Sequence, residues 1–311
     1  MTPHETAEAL PYPMLARCIE KLLTDKAVLV PARLVQALPG GASLFVMPAH
    51  DAKFAITKLL TFTPNNAGTD RATIQGDILV FEIATGRRVN LLDGPTVTAR
   101  RTAAVSLLAA QKLGTRRTGS RPEGPMLIVG AGVQGRAHLE AFRGGLGIEE
   151  VWIHSRSPSS TMALMAHART LGMRTKKVDD PNAALSACPY VISTTPAQEV
   201  VLKAYPRDDA FVCAVGAFTP RMVEWEASIC RRLAQNGNIF VDTRDADHEA
   251  GDLLQAGLDV NHFPSLRDVI VQPADTLALK NDGPIFFKSC GWAGWDLAAA
   301  RCVQEKSLAT G

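Results

Sequence analysis

No stretch of this 311-residue chain approaches the ~20 consecutive apolar residues that a membrane span needs, and Met1-Thr2-Pro3-His4-Glu5-Thr6 lacks the charged-then-apolar layout of a signal peptide. A protein with no membrane partner is expected. A surplus of either charge is also missing: 33 Lys and Arg stand against 31 Asp and Glu, with no basic run, and aromatic residues make up 6% of the chain. Without a basic face interleaved with aromatics, the sequence argues against nucleic acid as a partner. Cysteine is sparse and scattered. Cys18, Cys188, Cys213, Cys230, Cys290 and Cys302 form no C-x-x-C, and several sit in apolar runs. That reads as reduced thiols in a reducing compartment, the cytoplasm, rather than a disulfide or zinc framework. Asp247-His248-Glu249 does not supply a metal site either, because on a predicted helix residues i, i+1 and i+2 do not converge on one point. Internal repeats and low-complexity tracts are absent, which leaves a globular chain long enough for two domains, each with its own core.

What the chain does have is one organising stretch, Pro125-Met126-Leu127-Ile128-Val129-Gly130-Ala131-Gly132-Val133-Gln134-Gly135-Arg136-Ala137-His138-Leu139. A short apolar run suited to a buried parallel strand breaks into a complete G-x-G-x-x-G, and residues of helical character follow at once. Each glycine has a separate task. Gly130 permits the tight turn, Gly132 lets backbone approach a pyrophosphate, and Gly135 lets helix pack close to strand, while the helix N-terminus offers N–H groups and a positive dipole end to phosphate. The stretch predicts a nicotinamide dinucleotide site.

Upstream, Ser43–Met47, Phe54–Phe62, Asp77–Ile83 and Arg88–Leu92 are strand-like runs separated by Pro and Gly, following a helix around Met14–Leu23 and a short strand at Val28–Val30. Ala84-Thr85-Gly86-Arg87 predicts a hairpin, so this half is mainly an antiparallel sheet. After the turn Asp93-Gly94-Pro95, Thr96 can cap a helix running to Leu113, with Gly114 beyond its end. Thr115–Gly124 reads as a linker. Downstream the pattern becomes βαβ, with strands at Glu150–Ser155, Arg174–Val178, Tyr190–Ser193, Phe211–Val215 and Ile239–Asp242, and with Ser157-Pro158 starting a helix that ends near Gly172. Such alternation predicts an α/β fold with a Rossmann-type doubly wound parallel sheet. The expected division is 1–118 with 286–311 as an α+β substrate-binding and dimerisation domain, and 119–285 as the NAD(P)-binding domain.

Two features carry chemistry on residue type alone. Lys58 stands among Ile56, Leu59, Leu60 and Phe62; in an apolar setting its cation is destabilised and it titrates nearer neutrality, as a proton donor to an imine or amine must. Where NAD sites place Asp or Glu at the end of the second strand for the ribose 2′-OH, this chain has His154-Ser155-Arg156-Ser157. Ser155, Arg156 and Ser157 would welcome a 2′-phosphate, so NADP(H) is favoured, with NAD(H) as the alternative.

Pro31-Ala32-Arg33, Met47-Pro48-Ala49, Thr57-Lys58-Leu59, Thr98-Ala99-Arg100-Arg101-Thr102-Ala103-Ala104, the glycine-rich turn, Val215-Gly216-Ala217, Glu249-Ala250-Gly251-Asp252-Leu253 and Phe287-Lys288-Ser289-Cys290-Gly291 occur in this order along nearly the whole chain. Together they resemble the ornithine cyclodeaminase and mu-crystallin family. The resemblance implies a homodimer built on the antiparallel sheet, an NAD(P) site in the second domain, and small amino or imino acids as substrates. It implies that Arg33 and Arg101 bind the substrate carboxylate, for which a guanidinium fork is suited, with Arg100 the competitor of Arg101. It implies that Lys58 is the active-site lysine. Val133, Gln134, Thr194, Thr195, Val215, Gly216 and Lys288 join the three glycines as its implied cofactor contacts. The family's general base, an aspartate after the Val-Gly-Ala loop, is replaced here by Glu226, a departure that weakens ornithine cyclodeamination as the activity. With the arginines on the carboxylate and Lys58 on the imine nitrogen, the favoured reaction is NAD(P)H-dependent reduction of a small α-imino acid, a ketimine such as pyrroline-2-carboxylate. The alternatives are ornithine cyclodeamination and a non-catalytic, crystallin-like binding protein.

Overall fold

The computed structural model describes residues 1–66, 69–114, 122–236, 238–272 and 283–310. Seven residues of the expected linker, 115–121, lie outside them. The chain divides into two compact units, 1–102 with 292–311 and 103–291. The first boundary falls inside the helix Gly94–Leu113. The second falls after Gly291 rather than at 285, because Phe286-Phe287-Lys288 is a strand of the parallel sheet.

The first unit holds an antiparallel sheet of β1 (Leu34–Ala37), β2 (Ser43–His50), β3 (Phe54–Phe62), β4 (Ile74–Glu82) and β5 (Arg88–Asp93), in that spatial order. Alternation along the strands turns Ile56, Lys58, Ile78, Val80 and Leu92 into the interior, since successive side chains point to opposite faces. The helix Ala293–Thr310 packs on β2, β3 and the helix Tyr12–Thr24. The expected hairpin between β4 and β5 is present, with Gly86 at φ 69°. Three local expectations are corrected. Asp93-Gly94-Pro95 is not a free turn: the helix begins at Gly94, and the Asp93 carboxylate, not Thr96, caps it, accepting from Thr96 N at 2.8 Å. Val28–Val30 makes only a single bridge, Leu29 to His50. β1 was not expected, because its residues are all exposed and show no burial alternation.

The second unit is a seven-stranded, wholly parallel sheet: β6 (Met126–Val129), β7 (Glu150–His154), β8 (Arg174–Lys177), β9 (Tyr190–Ser193), β10 (Phe211–Ala214), β11 (Ile239–Val241) and β12 (Ile285–Lys288). Their order is β11-β12-β10-β9-β6-β7-β8. The chain therefore lays β7 and β8 on one side of β6 and then returns to place β9 and β10 on the other. That reversal beside β6 is where a doubly wound sheet opens a crevice at its carboxyl ends. Strands buried on both faces supply Leu127, Val129, Val191, Val212 and Phe286 to a core that Trp225 joins from outside the strands. Asp247-His248 lies in a 3-10 turn, Arg244–His248, not an α-helix. No group of metal-ligating side chains occurs among the described residues, and no helix there is long and apolar enough to cross a membrane.

A polar thread crosses this apolar unit. His138 is fully buried, with Nδ1 2.8 Å from Gln134 O and Nε2 2.8 Å from Ser106 Oγ, to which Cys213 Sγ donates at 3.0 Å. Burial lowers the His138 pKa to about 4 from an ordinary 6.5. Between those values the unfolded chain binds a proton that the native ring refuses, so stability falls as pH drops through this window, by about 3 kcal/mol for this group. Urea titrations between pH 7 and pH 4.5 should show that slope, and His138→Gln should flatten it. An unchanged slope would remove His138 as its source.

Candidate active site

The glycine-rich turn follows β6 at the point where the strand order reverses. Gly130 has φ +112°, which a residue with a Cβ rarely adopts, and a Cβ on Gly135 would stand 2.1 Å from Gly130 O. The helix Val133–Leu146 can thus begin directly against the strand. A Cβ on Gly132, by contrast, would meet nothing within 4 Å. The turn is open at the one glycine where a ligand's backbone approach was expected. The helix has no side-chain cap and no acidic residue in its first turn, Val133 is 71% exposed, and the buried Gln134 Oε1 has no hydrogen-bond partner among the described residues. Free N–H groups, an unopposed positive helix end and open space fit a dinucleotide pyrophosphate.

At the end of β7, Ser157 Oγ caps the next helix by accepting from Ser160 N, Ser155 Oγ accepts from Ser157 N, and Arg156 is exposed. After β9, Thr194 Oγ1 donates to Gly130 O at 3.0 Å, joining that loop to the glycine turn. Thr195 turns the other way, donating through N and Oγ1 to the buried Glu224.

In the first unit β3 and two helices build a compact cation cluster. Lys58 is 1% exposed, and its Nζ donates to Thr98 Oγ1 at 2.6 Å and to Asp296 Oδ1 and Oδ2 at 3.2 and 3.4 Å. Thr98 can accept because its own hydroxyl donates to Gly94 O. Arg101, 6% exposed, brings Nε to 3.4 Å from Asp296 Oδ1 without a hydrogen bond from that atom to any described residue. Two cations share one carboxylate, so the cluster keeps one positive charge and an under-satisfied guanidinium, the setting for an incoming anion. Burial lowers the Lys58 pKa to about 8; Asp296 works against that shift and Arg101 with it. A lysine so placed can hold and release a proton near neutral pH.

Comparison with known proteins identifies the family. The model of the ornithine cyclodeaminase/mu-crystallin family matches residues 27–311. The chain belongs to that family. It is 34% identical over 304 residues to the Δ1-pyrroline-2-carboxylate/Δ1-piperideine-2-carboxylate reductase of Azospirillum brasilense, covering 97% of this chain and 93% of the relative. It is 31% identical over 290 residues to the ketimine reductase mu-crystallin of Mus musculus, covering 90% and 86%. Among solved structures, the Thermococcus litoralis Δ1-pyrroline-2-carboxylate reductase with NADH and L-proline superposes with a TM-score of 0.80 over 100% of this chain and 95% of that one, at 22% identity.

Within this ornithine cyclodeaminase/mu-crystallin chain, the structure brings together some expected residues and sets others apart. It separates the two arginines that register alone could not: Arg100 donates to Leu10 O and lies over the Tyr12 ring, whereas Arg101 reaches Asp296. Arg33 is exposed just before β1. Glu226 is half-buried as the N-cap of the helix Ala227–Gln235 and accepts from Ser228 Oγ. Lys288 is fully buried and paired with Asp252 at 2.8 Å. Thr98, Asp296, Glu224 and Asp252 were not singled out as site residues from the sequence. Asp296 alone left a signal, a single carboxylate in the apolar run Trp295-Asp296-Leu297-Ala298-Ala299-Ala300, where a charge has to be paired.

Proposed function

We propose that the chain is an NAD(P)H-dependent reductase of a small cyclic α-imino acid, a ketimine such as Δ1-pyrroline-2-carboxylate, acting as a cytoplasmic homodimer. The observation that carries this reading is the buried Lys58-Asp296-Arg101 cluster in a chain that also builds a dinucleotide turn; the curated relatives named above support it. Arg101, with Arg33, binds the substrate carboxylate. Lys58 donates a proton from Nζ to the imine nitrogen. A bound reduced nicotinamide supplies the hydride that the imine carbon takes up. Imine, hydride and proton balance to the cyclic amino acid. Gly130, Gly132, Val133, Gln134, Gly135, Thr194, Thr195, Val215, Gly216 and Lys288 form or support the cofactor site, and Glu226 stands where the family has its general base. The test is absorbance of the reduced nicotinamide with pyrroline-2-carboxylate. Steady loss is expected; ammonia from ornithine without net loss would instead mean cyclodeamination, and neither would mean a binding protein.

NADPH is the proposed cofactor, since no acid stands at the end of β7 to repel a 2′-phosphate and the exposed Arg156 can grip it. Arg156→Ala should weaken NADPH roughly ten- to a hundredfold more than NADH, the worth of one charge-assisted contact. Equal losses in titration calorimetry would sink the assignment. The homodimer is supported by the outward face of the antiparallel sheet, where Leu34, Val46 and Leu59 stand in one cross-strand row and Leu79 and Leu91 in another. Leu34, Leu59 and Leu91 are exposed in the single chain. Leu59→Lys should sediment as a folded monomer, and a dimeric variant would move the interface elsewhere. None of the described cysteines forms a disulfide, and burial pushes Cys188, Cys213 and Cys230 up to about 12, as suits inert thiols in a reducing compartment.

A further inference from the structure

The parallel sheet holds a buried charge network centred on Glu224, a carboxylate to which the proposed reaction assigns no role. Glu224 is fully buried, and both its carboxylate oxygens are filled by two donors each: Oε1 accepts from Thr195 N at 2.6 Å and Thr195 Oγ1 at 2.9 Å, and Oε2 from Ser193 Oγ at 3.0 Å and Gly216 N at 2.8 Å. Its own main chain is fixed from below, because Asp252 Oδ1 accepts from Glu224 N and Trp225 N while Oδ2 takes Lys288 Nζ. Trp225 Nε1 donates to Ser193 Oγ and closes the ring of contacts. The approach is close enough that a Cβ on Gly216 would lie 2.1 Å from Thr195 O and 2.5 Å from Glu224 Oε1.

One carboxylate therefore ties the end of β9 to the loops that follow β9 and β10. Those loops flank the crevice on the side of β6 opposite to β7. A dinucleotide lying across a switch point puts its adenosine half over β6 and β7, where the ribose residue at the end of the second strand reads it, and its other half over the strands beyond the reversal. We propose that Glu224 is a positioning residue for the nicotinamide half of the cofactor, holding Thr195 and Gly216 in register without touching the ligand. This rests on the dinucleotide reading of the second unit. Burying this charge is costly: desolvation and the nearby Asp252 carboxylate push the Glu224 carboxyl up to about 7, against the pull of Lys288 and the Thr195 donors. A neutral apolar residue would avoid that cost but could not accept from two backbone N–H groups on separate loops.

Glu224→Gln exposes the role, because the amide nitrogen must face one of those N–H groups, donor against donor. The two cofactor halves can be titrated separately on the full-length protein, with 2′,5′-ADP as the adenosine half and NADPH as the whole. Wild type should bind both; if it binds neither, the dinucleotide reading falls and this inference with it. With that established, Glu224→Gln should lose roughly tenfold or more in NADPH affinity while its affinity for 2′,5′-ADP stays at the wild-type value. Ser193→Ala, which removes one donor to Oε2, should show a smaller loss with the same split and covers the case in which Glu224→Gln does not fold. General loosening of the unit would weaken both ligands together. Equal losses, or unchanged NADPH binding, would overturn the positioning role.

Discussion

Lys58→Met is expected to lower kcat about 10²–10⁴-fold while cofactor affinity stays unchanged, because a proton donor acts in the transition state and not in cofactor binding. The variant should fold, since Asp296 keeps Arg101 as its ionic partner and the methionine replaces a stem already enclosed in the interior. The wild-type pH profile should carry the same residue's mark. A donor must be protonated, so kcat/KM, which reports the free enzyme, should decline as pH rises through about 8, the value to which burial brings Lys58. Asp296→Asn removes the charge that opposes that lowering and should move the decline to lower pH. Stopped-flow single turnovers with NADPH and pyrroline-2-carboxylate separate the chemical step from product release. A Lys58→Met enzyme with wild-type kcat, or a wild-type kcat/KM profile flat through pH 8, would remove Lys58 from the mechanism.

The parts of this molecule that were legible in the sequence are those whose physics is local. A glycine turn needs its glycines at fixed spacing, so Gly130, Gly132 and Gly135 announced both the strand before them and the helix after them. Ser157-Pro158 marked a helix start because capping is decided within four residues. Lys58 was visible because a lysine inside an apolar strand is out of place on its own. Where a role depends on a distant partner, the partner stayed hidden. Asp296 meets Lys58 across 238 positions of chain, and Glu224 meets Thr195 across 29. In neither case does the neighbouring sequence say which cation or amide will arrive. The cap of the helix at Gly94 was misplaced by three residues for a related reason: Asp93 and Thr96 are both good caps, and only the fold decides which one remains outside the first turn. Arg100 and Arg101 differ by one step on a helix, about 100° of rotation, which is the difference between covering Tyr12 and reaching Asp296.

That one-step difference makes Arg101 the second residue whose loss should be severe. Its guanidinium is buried, shares Asp296 with Lys58 and has no hydrogen-bond acceptor at Nε among the described residues. A substrate carboxylate arriving there completes a charge-assisted pair in a largely desolvated setting. Removing the cation leaves that carboxylate without its partner, at about 2–5 kcal/mol, or roughly 30- to 5,000-fold in kcat/KM. Arg101→Leu should show this loss with pyrroline-2-carboxylate, and Arg101→Lys should recover only part of it, since a point charge cannot donate the two parallel hydrogen bonds of the fork. The decisive comparison uses 1-pyrroline, the same cyclic imine without its carboxylate. If Arg101 binds that group, wild type should prefer the carboxylated substrate strongly and Arg101→Leu should have lost most of the preference. A variant that is slower with both imines by the same factor would show that Arg101 supports the fold around Asp296 and does not hold the substrate.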